Sequence, residues 1–320
     1  MRFVKAVVYT RYGSPDVLAV TEVPTPTPRD GEVLVKIHAV SLNASDWESL
    51  RGTPFYARLG GLFRPGKHVL GSDIAGRVVA NGPGATRFRV GDDVFADALS
   101  TLGGFAEFIR VPEKVLEPLP AGMTHEEAAA LPQAGAIAWQ GIVAKGEVRA
   151  GQRVLINGAG GGSGMYAIQL AKLRGAEVTG VDNAEKLDFM RSLGADHVID
   201  YRSVDYTRTG EKYDLILDVQ AFRGARSYAR ALTPQGRFFC VGGSVRTLLR
   251  VLVFGGKRLR VLAVQLGAKH LGPLVELCQA GEISTIIDRR FSLDEVPQAL
   301  AYLGKGHAKG KVIIIVDQAR

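Results

Sequence analysis

One stretch constrains this chain more than any other: Val154-Leu155-Ile156-Asn157-Gly158-Ala159-Gly160-Gly161-Gly162-Ser163-Gly164, followed by Met165-Tyr166-Ala167-Ile168-Gln169-Leu170. An apolar strand runs into a turn built of glycines, and the turn opens an apolar helix. The first N–H groups of a helix have no partner within it, and the helix dipole is positive at that end. The turn therefore offers a ready seat for a phosphate. The G-x-G-x-x-G spacing is met here as Ala159-x-Gly161-x-x-Gly164, and an acid, Asp182, stands about 20 residues further on. Together these predict dinucleotide binding. The pyrophosphate would lie over Ala159, Gly161, Gly162, Ser163 and Gly164, with Asp182 at the adenosine ribose.

The chain around this motif alternates. Apolar strands are expected at 153–157, 177–181, 197–200, 214–219 and 237–242, with helices near 163–174, 184–193 and 224–232. That rhythm is a doubly wound parallel sheet. The first 120 residues read differently, as short strands such as Val33–Ile37 and Ile74–Val79 separated by turn residues, which predicts a compact, partly closed β domain. Thr124 followed by Glu127 predicts a capping box opening a helix. A chain of 320 residues accommodates two such domains.

Composition narrows the function classes. With 46% hydrophobic and 22% charged residues, global disorder is excluded. No apolar run reaches the roughly 20 residues of a membrane helix, so no membrane insertion is expected. The start lacks a signal-peptide pattern and there are only two cysteines, so a cytoplasmic protein is expected. Forty basic against 32 acidic residues give +8. The excess is local around Arg246, Arg250, Lys257, Arg258 and Arg260, with no zinc-finger spacing, and it reads as a basic surface without sequence-specific nucleic-acid binding. The apolar segment Leu248–Phe254 beside it is expected to line a homodimer interface.

Further stretches carry a resemblance: Leu70-Gly71-Ser72-Asp73-Ile74-Ala75-Gly76, Gly91-Asp92-Asp93-Val94-Phe95, Gly103-Gly104-Phe105-Ala106-Glu107, Leu193-Gly194-Ala195-Asp196-His197-Val198-Ile199-Asp200-Tyr201, and Gly306-His307-Ala308-Lys309-Gly310-Lys311-Val312. The whole chain resembles the medium-chain dehydrogenase/reductase superfamily, and within it the zinc-free quinone oxidoreductase (zeta-crystallin-like) branch. The resemblance implies a GroES-like β domain over 1–122 and 292–320, a Rossmann domain over 123–291, and an active cleft between them. Zinc members place ligands where this chain has Asn43, Ser72-Asp73 and Ala134, and the segment of their structural zinc lobe has no cysteine here. No metal is expected.

The resemblance also assigns roles. Asn43 stands at the family's active-site Asn and would hydrogen-bond the acceptor oxygen. Tyr56 lies in the substrate-facing loop and would donate a proton, with Trp47 and Phe55 as candidate apolar walls. Val241-Gly242 and Ala263-Val264 resemble the segments that meet the cofactor, and Lys186 and Tyr201 match positions near the ribose phosphate in NADPH-using quinone reductases. Ile137 and Glu48 depart from family residues at the site. Without a metal, reduction of an electron-poor acceptor is the accessible chemistry. An NAD(P)H-dependent, zinc-independent reductase of quinones or α,β-unsaturated carbonyls is expected. A zinc-free alcohol or ketone dehydrogenase and a cofactor-sensing or RNA-binding protein are the alternatives. Asp182 repels an added phosphate, so the expected cofactor is NAD(P)H with a slight preference for NADH.

Overall fold

The computed structural model describes residues 2–265 and 271–316. The chain divides into two compact units, 1–133 with 266–280 and 287–320, and 134–265 with 281–286.

The first unit opens with β1 (Phe3–Val8) paired antiparallel to β2 (Ala19–Pro24). Pro24 ends that edge strand, where a missing N–H costs no ladder bond. Next come β3 (Glu32–Ser41), α1 (Ala44–Arg51), β4 (Asp73–Asn81), β5 (Asp93–Asp97), β6 (Phe108–Pro112), β7 (Leu116–Pro118) and α2 (His125–Ala130). Strands β3, β4, β5 and β7 pair in that order, and β6 also pairs with β3. The expected capping box is present at α2: Glu127 N donates to Thr124 Oγ1 at 3.2 Å, and Thr124 N donates to the Glu127 carboxylate at 2.9 Å. Helix α1 was not expected, because its residues Ala-Ser-Asp-Trp-Glu-Ser-Leu-Arg show only Leu50 and Asp46 to the interior. A helix anchored by one leucine and one buried acid has no apolar stripe to read.

The second unit starts within α3 (Pro132–Ala138) and carries β8 (Arg153–Asn157), α4 (Gly162–Leu173), β9 (Glu177–Asp182), α5 (Leu187–Ser192), β10 (His197–Asp200), β11 (Tyr213–Asp218), α6 (Ala225–Ala231), β12 (Leu232–Cys240), α7 (Val245–Phe254) and β13 (Leu259–Val261). Its parallel sheet runs β10-β9-β8-β11-β12-β13, the doubly wound order. Leu155, Val181, Ile216, Tyr228 and Phe238 form its core.

The chain then returns to the first unit through α8 (Gly272–Gln279), β14 (Ile287–Ser292), α9 (Val296–Gly304) and β15 (Lys311–Ile315). Strand β15 pairs parallel to β14 and antiparallel to β3, so the last strand lies inside a seven-stranded sheet. The first unit thus runs to Gln133, against an expected 122, and takes in 266–280 and 287 onward, against an expected 292 onward. The reason is packing: α2 lies on β3 and β4, and β14 needs β15 as its partner. No helix among the described residues is long and apolar enough to cross a membrane.

Candidate active site

In the second unit the glycine turn has the geometry a pyrophosphate requires. Gly158 adopts φ +82°, where a side chain is strained. A Cβ on Gly164 would collide with the backbone of Gly158 and Ala159, so this glycine lets α4 pack directly on the turn. At Gly161 a Cβ would meet only Gly158 O, at 3.5 Å, which leaves the space over the helix start open. Gly161, Gly162 and Ser163 are partly exposed there, while Ala159 is buried beneath. An anion fits this cradle.

Asp182 ends β9 beside the turn. Its carboxylate accepts from Gly160 N at 3.0 Å and Asn183 N at 2.8 Å, and Lys186 Nζ lies 3.4 Å from it. Both partners are more than nine-tenths buried. Lys186 is therefore not a solvated helix residue: it covers Gly160 and neutralises Asp182. Tyr201 is half exposed, its N–H donates to Asp182 O, and the Arg202 guanidinium sits 5.8 Å from its ring centre. Val241 N donates to Asp218 O at the end of β12, and Val241 and Gly242 stay partly exposed. Ala263 and Val264 follow β13, and Gln265 is fixed by a reciprocal pair of 2.9 Å bonds with Gln140.

One group escaped sequence reading. Asp218, fully buried, faces Asn157 in register between β11 and β8, where the strand order reverses. It accepts from Asn157 Nδ2 at 2.7 Å, Gln220 N at 2.9 Å and Tyr206 Oη at 3.3 Å. Burial lifts its carboxyl above the usual range, and these donors oppose the lift. It is a polar lock between the two halves of the sheet.

In the first unit Asn43 caps α1, and its N–H donates to Asp46 Oδ2 at 2.9 Å. Its side chain takes part in the capping box, facing the Asp46 backbone, and reaches beyond it. Asn43 Oδ1 accepts from Lys311 Nζ at 2.7 Å, and Nδ2 approaches Ser72 Oγ at 3.5 Å. Three buried aspartates surround this pair: Asp46, which accepts from Gly71 N, Asp73, which accepts from Gln133 N, and Asp97, which accepts from Leu99 N. Desolvation pushes Asp46 up to about 6 and Asp73 up to about 8, and raises Asp97 as well. The same burial holds Lys311 below its ordinary range. Asp73 thus faces Lys311 inside a cluster and has no surface ion pair.

Tyr56 Oη donates to Glu48 Oε1 at 3.2 Å, and burial raises the Glu48 carboxyl. Trp47 is partly buried and packs on Gly304 of α9, against the apolar core of this unit. Phe55 is 62% exposed.

A zinc ion does not fit the corner formed by Asn43, Ser72 and Asp73. The one strong ligand atom of Asn43 already accepts from an ammonium, Ser72 is a poor ligand, and Ala134 offers none. A second cation beside Lys311 would meet repulsion in a dry site. Among the described residues one other grouping has metal-like proximity, His38, Asp93 and His125. There Asp93 receives the Arg77 fork at 2.8 and 2.9 Å as well as His125 at 3.2 Å, which describes an ion-pair network.

Two family models match the chain: an alcohol dehydrogenase GroES-like domain over residues 29–121 and a zinc-binding dehydrogenase over 193–314. A chloroplastic quinone-oxidoreductase QR1 from Triphysaria versicolor is 34% identical, with 98% of each chain covered. A 2-methylene-furan-3-one reductase from Solanum lycopersicum is 34% identical over 97% of this chain and 78% of its own. The solved structure of the quinone oxidoreductase from Coxiella burnetii superposes with a TM-score of 0.88 at 29% identity, covering 99% of this chain and 100% of the other.

Proposed function

We propose, for a chain that belongs to the medium-chain dehydrogenase/reductase family in its quinone oxidoreductase branch, that this oxidoreductase passes hydride to a quinone or an α,β-unsaturated carbonyl without a metal. The observation that carries the reading is the Asn43–Lys311 corner, where an amide donor stands at a position that zinc members give to a ligand. A reduced nicotinamide, when bound, supplies the hydride, two electrons and one hydrogen nucleus. Negative charge then grows on the acceptor's oxygen. Asn43 Nδ2–H stabilises it, which is the contribution a fixed donor makes in a site with little water. Tyr56 delivers the proton that completes the reduced product, with Glu48 behind it as hydrogen-bond partner.

The glycine turn, with Val241, Gly242, Ala263 and Val264, holds the cofactor. NADH is slightly preferred because Asp182 stands at the ribose end. NADPH would draw on Arg202, since Lys186 is already paired. The relatives include both an NAD(P)H oxidoreductase and an NADPH-dependent alkenal/one oxidoreductase. We place the protein's action in the cytoplasm, in keeping with a sequence that holds only two cysteines.

The test is a steady-state panel crossing NADH and NADPH with several quinones and enones, with and without chelator, for wild type and Asp182→Ser. Turnover indifferent to chelator, with NADPH use rising in the variant, is expected. Activity lost to chelator and restored by zinc overturns the reading. A wild-type NADPH preference above about tenfold, roughly 1.4 kcal/mol, overturns the cofactor preference.

A further inference from the structure

We propose that Lys311 is a positioning residue for the reduction, holding the Asn43 amide so that Nδ2, and not Oδ1, is available to the acceptor's oxygen. The inference rests on the reading of Asn43 as the hydrogen-bond donor.

Lys311 is 2% exposed, an unusual place for an ammonium. It opens β15, 268 residues from Asn43, and the two are brought together because Leu42 N donates to Val312 O at 2.9 Å where β15 joins β3. Its Nζ donates to Asn43 Oδ1 at 2.7 Å and to Leu42 O at 3.2 Å. An ammonium has only hydrogens to offer, so the amide must present its oxygen there. That fixes an orientation which the amide's near-symmetric shape does not fix by itself. One Nδ2 hydrogen is engaged towards the Ser72–Asp73 corner, and the bond to Ser72 is long, at 3.5 Å. Of its two neighbours there, Ser72 and Asp73, the long Ser72 contact is the one an acceptor's oxygen would displace.

Without Lys311 only the backbone at the start of α1 would face the amide oxygen. Asp46, Asp73 and Asp97 all face this point, and a lone amide among buried carboxylates turns its NH2 towards them. The acid is concentrated by register. Ser41, Asp73 and Asp97 form one row across β3, β4 and β5. Ser41 Oγ, Asp73 Oδ1 and Asp97 Oδ2 are buried without a protein hydrogen-bond partner. One cation thus serves three carboxylates, and its removal changes both the charge of the cluster and the direction of the amide.

The experiment compares Asn43→Ala, Asp73→Asn, and Lys311→Met combined with Asp73→Asn, a pair that removes the buried ammonium together with the carboxyl that faces it. Oxidation of NADH by 1,4-benzoquinone and by 3-buten-2-one gives kcat and KM, and circular dichroism gives Tm. The pair is expected to keep the Tm and the NADH KM of Asp73→Asn while kcat falls about tenfold or more, as for loss of a fixed donor. A kcat equal to that of Asp73→Asn alone overturns the role of Lys311 and leaves Asn43 standing. An Asn43→Ala variant with wild-type turnover of both acceptors overturns the Asn43 reading, and the Lys311 inference falls with it. If the pair does not fold, Lys311→Arg and Lys311→Gln are compared: Arg offers only donors and is expected to keep kcat, whereas the Gln amide can turn its oxygen to Asn43 and is expected to lose kcat but not KM. A Lys311→Gln enzyme with unchanged kcat overturns it.

Discussion

At the scale of single residues, burial sets the chemistry of this chain more than residue type does. Asp73 shows it. An unfolded aspartate ionises near pH 3.9, whereas Asp46 and Asp73 hold their protons in the folded chain up to about 6 and about 8. The folded state therefore binds these protons more tightly. Their contribution to stability is complete at low pH and is lost as pH rises from about 4 through those values. Asp73 faces Lys311 and Asp97, and Gln133 N donates to it. Asp73→Asn keeps an oxygen for Gln133 and removes the charge that must form above pH 8. Wild-type Tm is expected to fall between pH 6 and 8, and the variant's to fall less over the same interval, at up to about 1.4 kcal/mol per pH unit for one proton. Parallel Tm curves from pH 5 to 9 would show that Asp73 does not carry this proton. Asp182 makes a related point. Its acid identity is visible in sequence, yet its charge is already balanced by Lys186, and only the folded chain reveals that.

At the scale of elements, the glycine turn separates two jobs that the motif writes as one. Gly164 serves packing, since any side chain there would strike the backbone of the turn. Gly161 serves access, since a Cβ there touches only Gly158 O at an ordinary distance. Gly164→Ala is expected to lower Tm by several degrees, because α4 must lift from β8. Gly161→Ala should lower the Tm of the free protein by no more than about a few degrees, Ala being the poorer N-cap for α4 by up to about 1 kcal/mol. It should nevertheless weaken NADH binding about tenfold or more by filling the space over the helix start. The two are told apart by the NADH-induced rise in Tm: Gly161→Ala loses the rise but keeps most of the baseline. A Gly161→Ala protein that is stabilised by NADH as well as wild type would remove this turn from the binding site.

At the scale of the whole molecule, the six-stranded sheet ends on β13, whose outer edge has no strand partner among the described residues. Next to it α7 exposes Leu249, Leu252, Val253 and Phe254, the last three two-thirds exposed or more. An open edge beside an apolar face is what a two-fold interface covers. We propose a homodimer through this side, and we expect light scattering to give twice the chain mass of 34.3 kDa. Leu252→Asp is expected to give the single mass with α7 intact by circular dichroism. A wild-type chain that runs as a monomer at micromolar concentration would contradict the proposal.

How much of this the sequence carried depends on the range of the interaction. The glycine turn, the Thr124–Glu127 box, the strand–helix alternation and the doubly wound sheet were all legible, because each is written within a few residues in steric and hydrogen-bonding rules that act locally. The family assignment was legible for the same reason, through short conserved-looking turns spread along the chain. Helix α1 was not, since it buries fully only Leu50 and an acid, with no apolar stripe. The packing of its Trp47 on α9 was equally hidden, being a contact between segments about 250 residues apart. The acid cluster was invisible for a stronger reason. Asn43, Ser72, Asp73, Asp97 and Lys311 lie on separate strands and loops, and only the pairing of β15 with β3 and of β3 with β4 and β5 brings them together. The sequence by itself decided the class of fold and the seat for a dinucleotide. The tertiary structure decided which way Asn43 points and where its neighbours' protons sit, because desolvation and charge pairing depend on what strand pairing buries together.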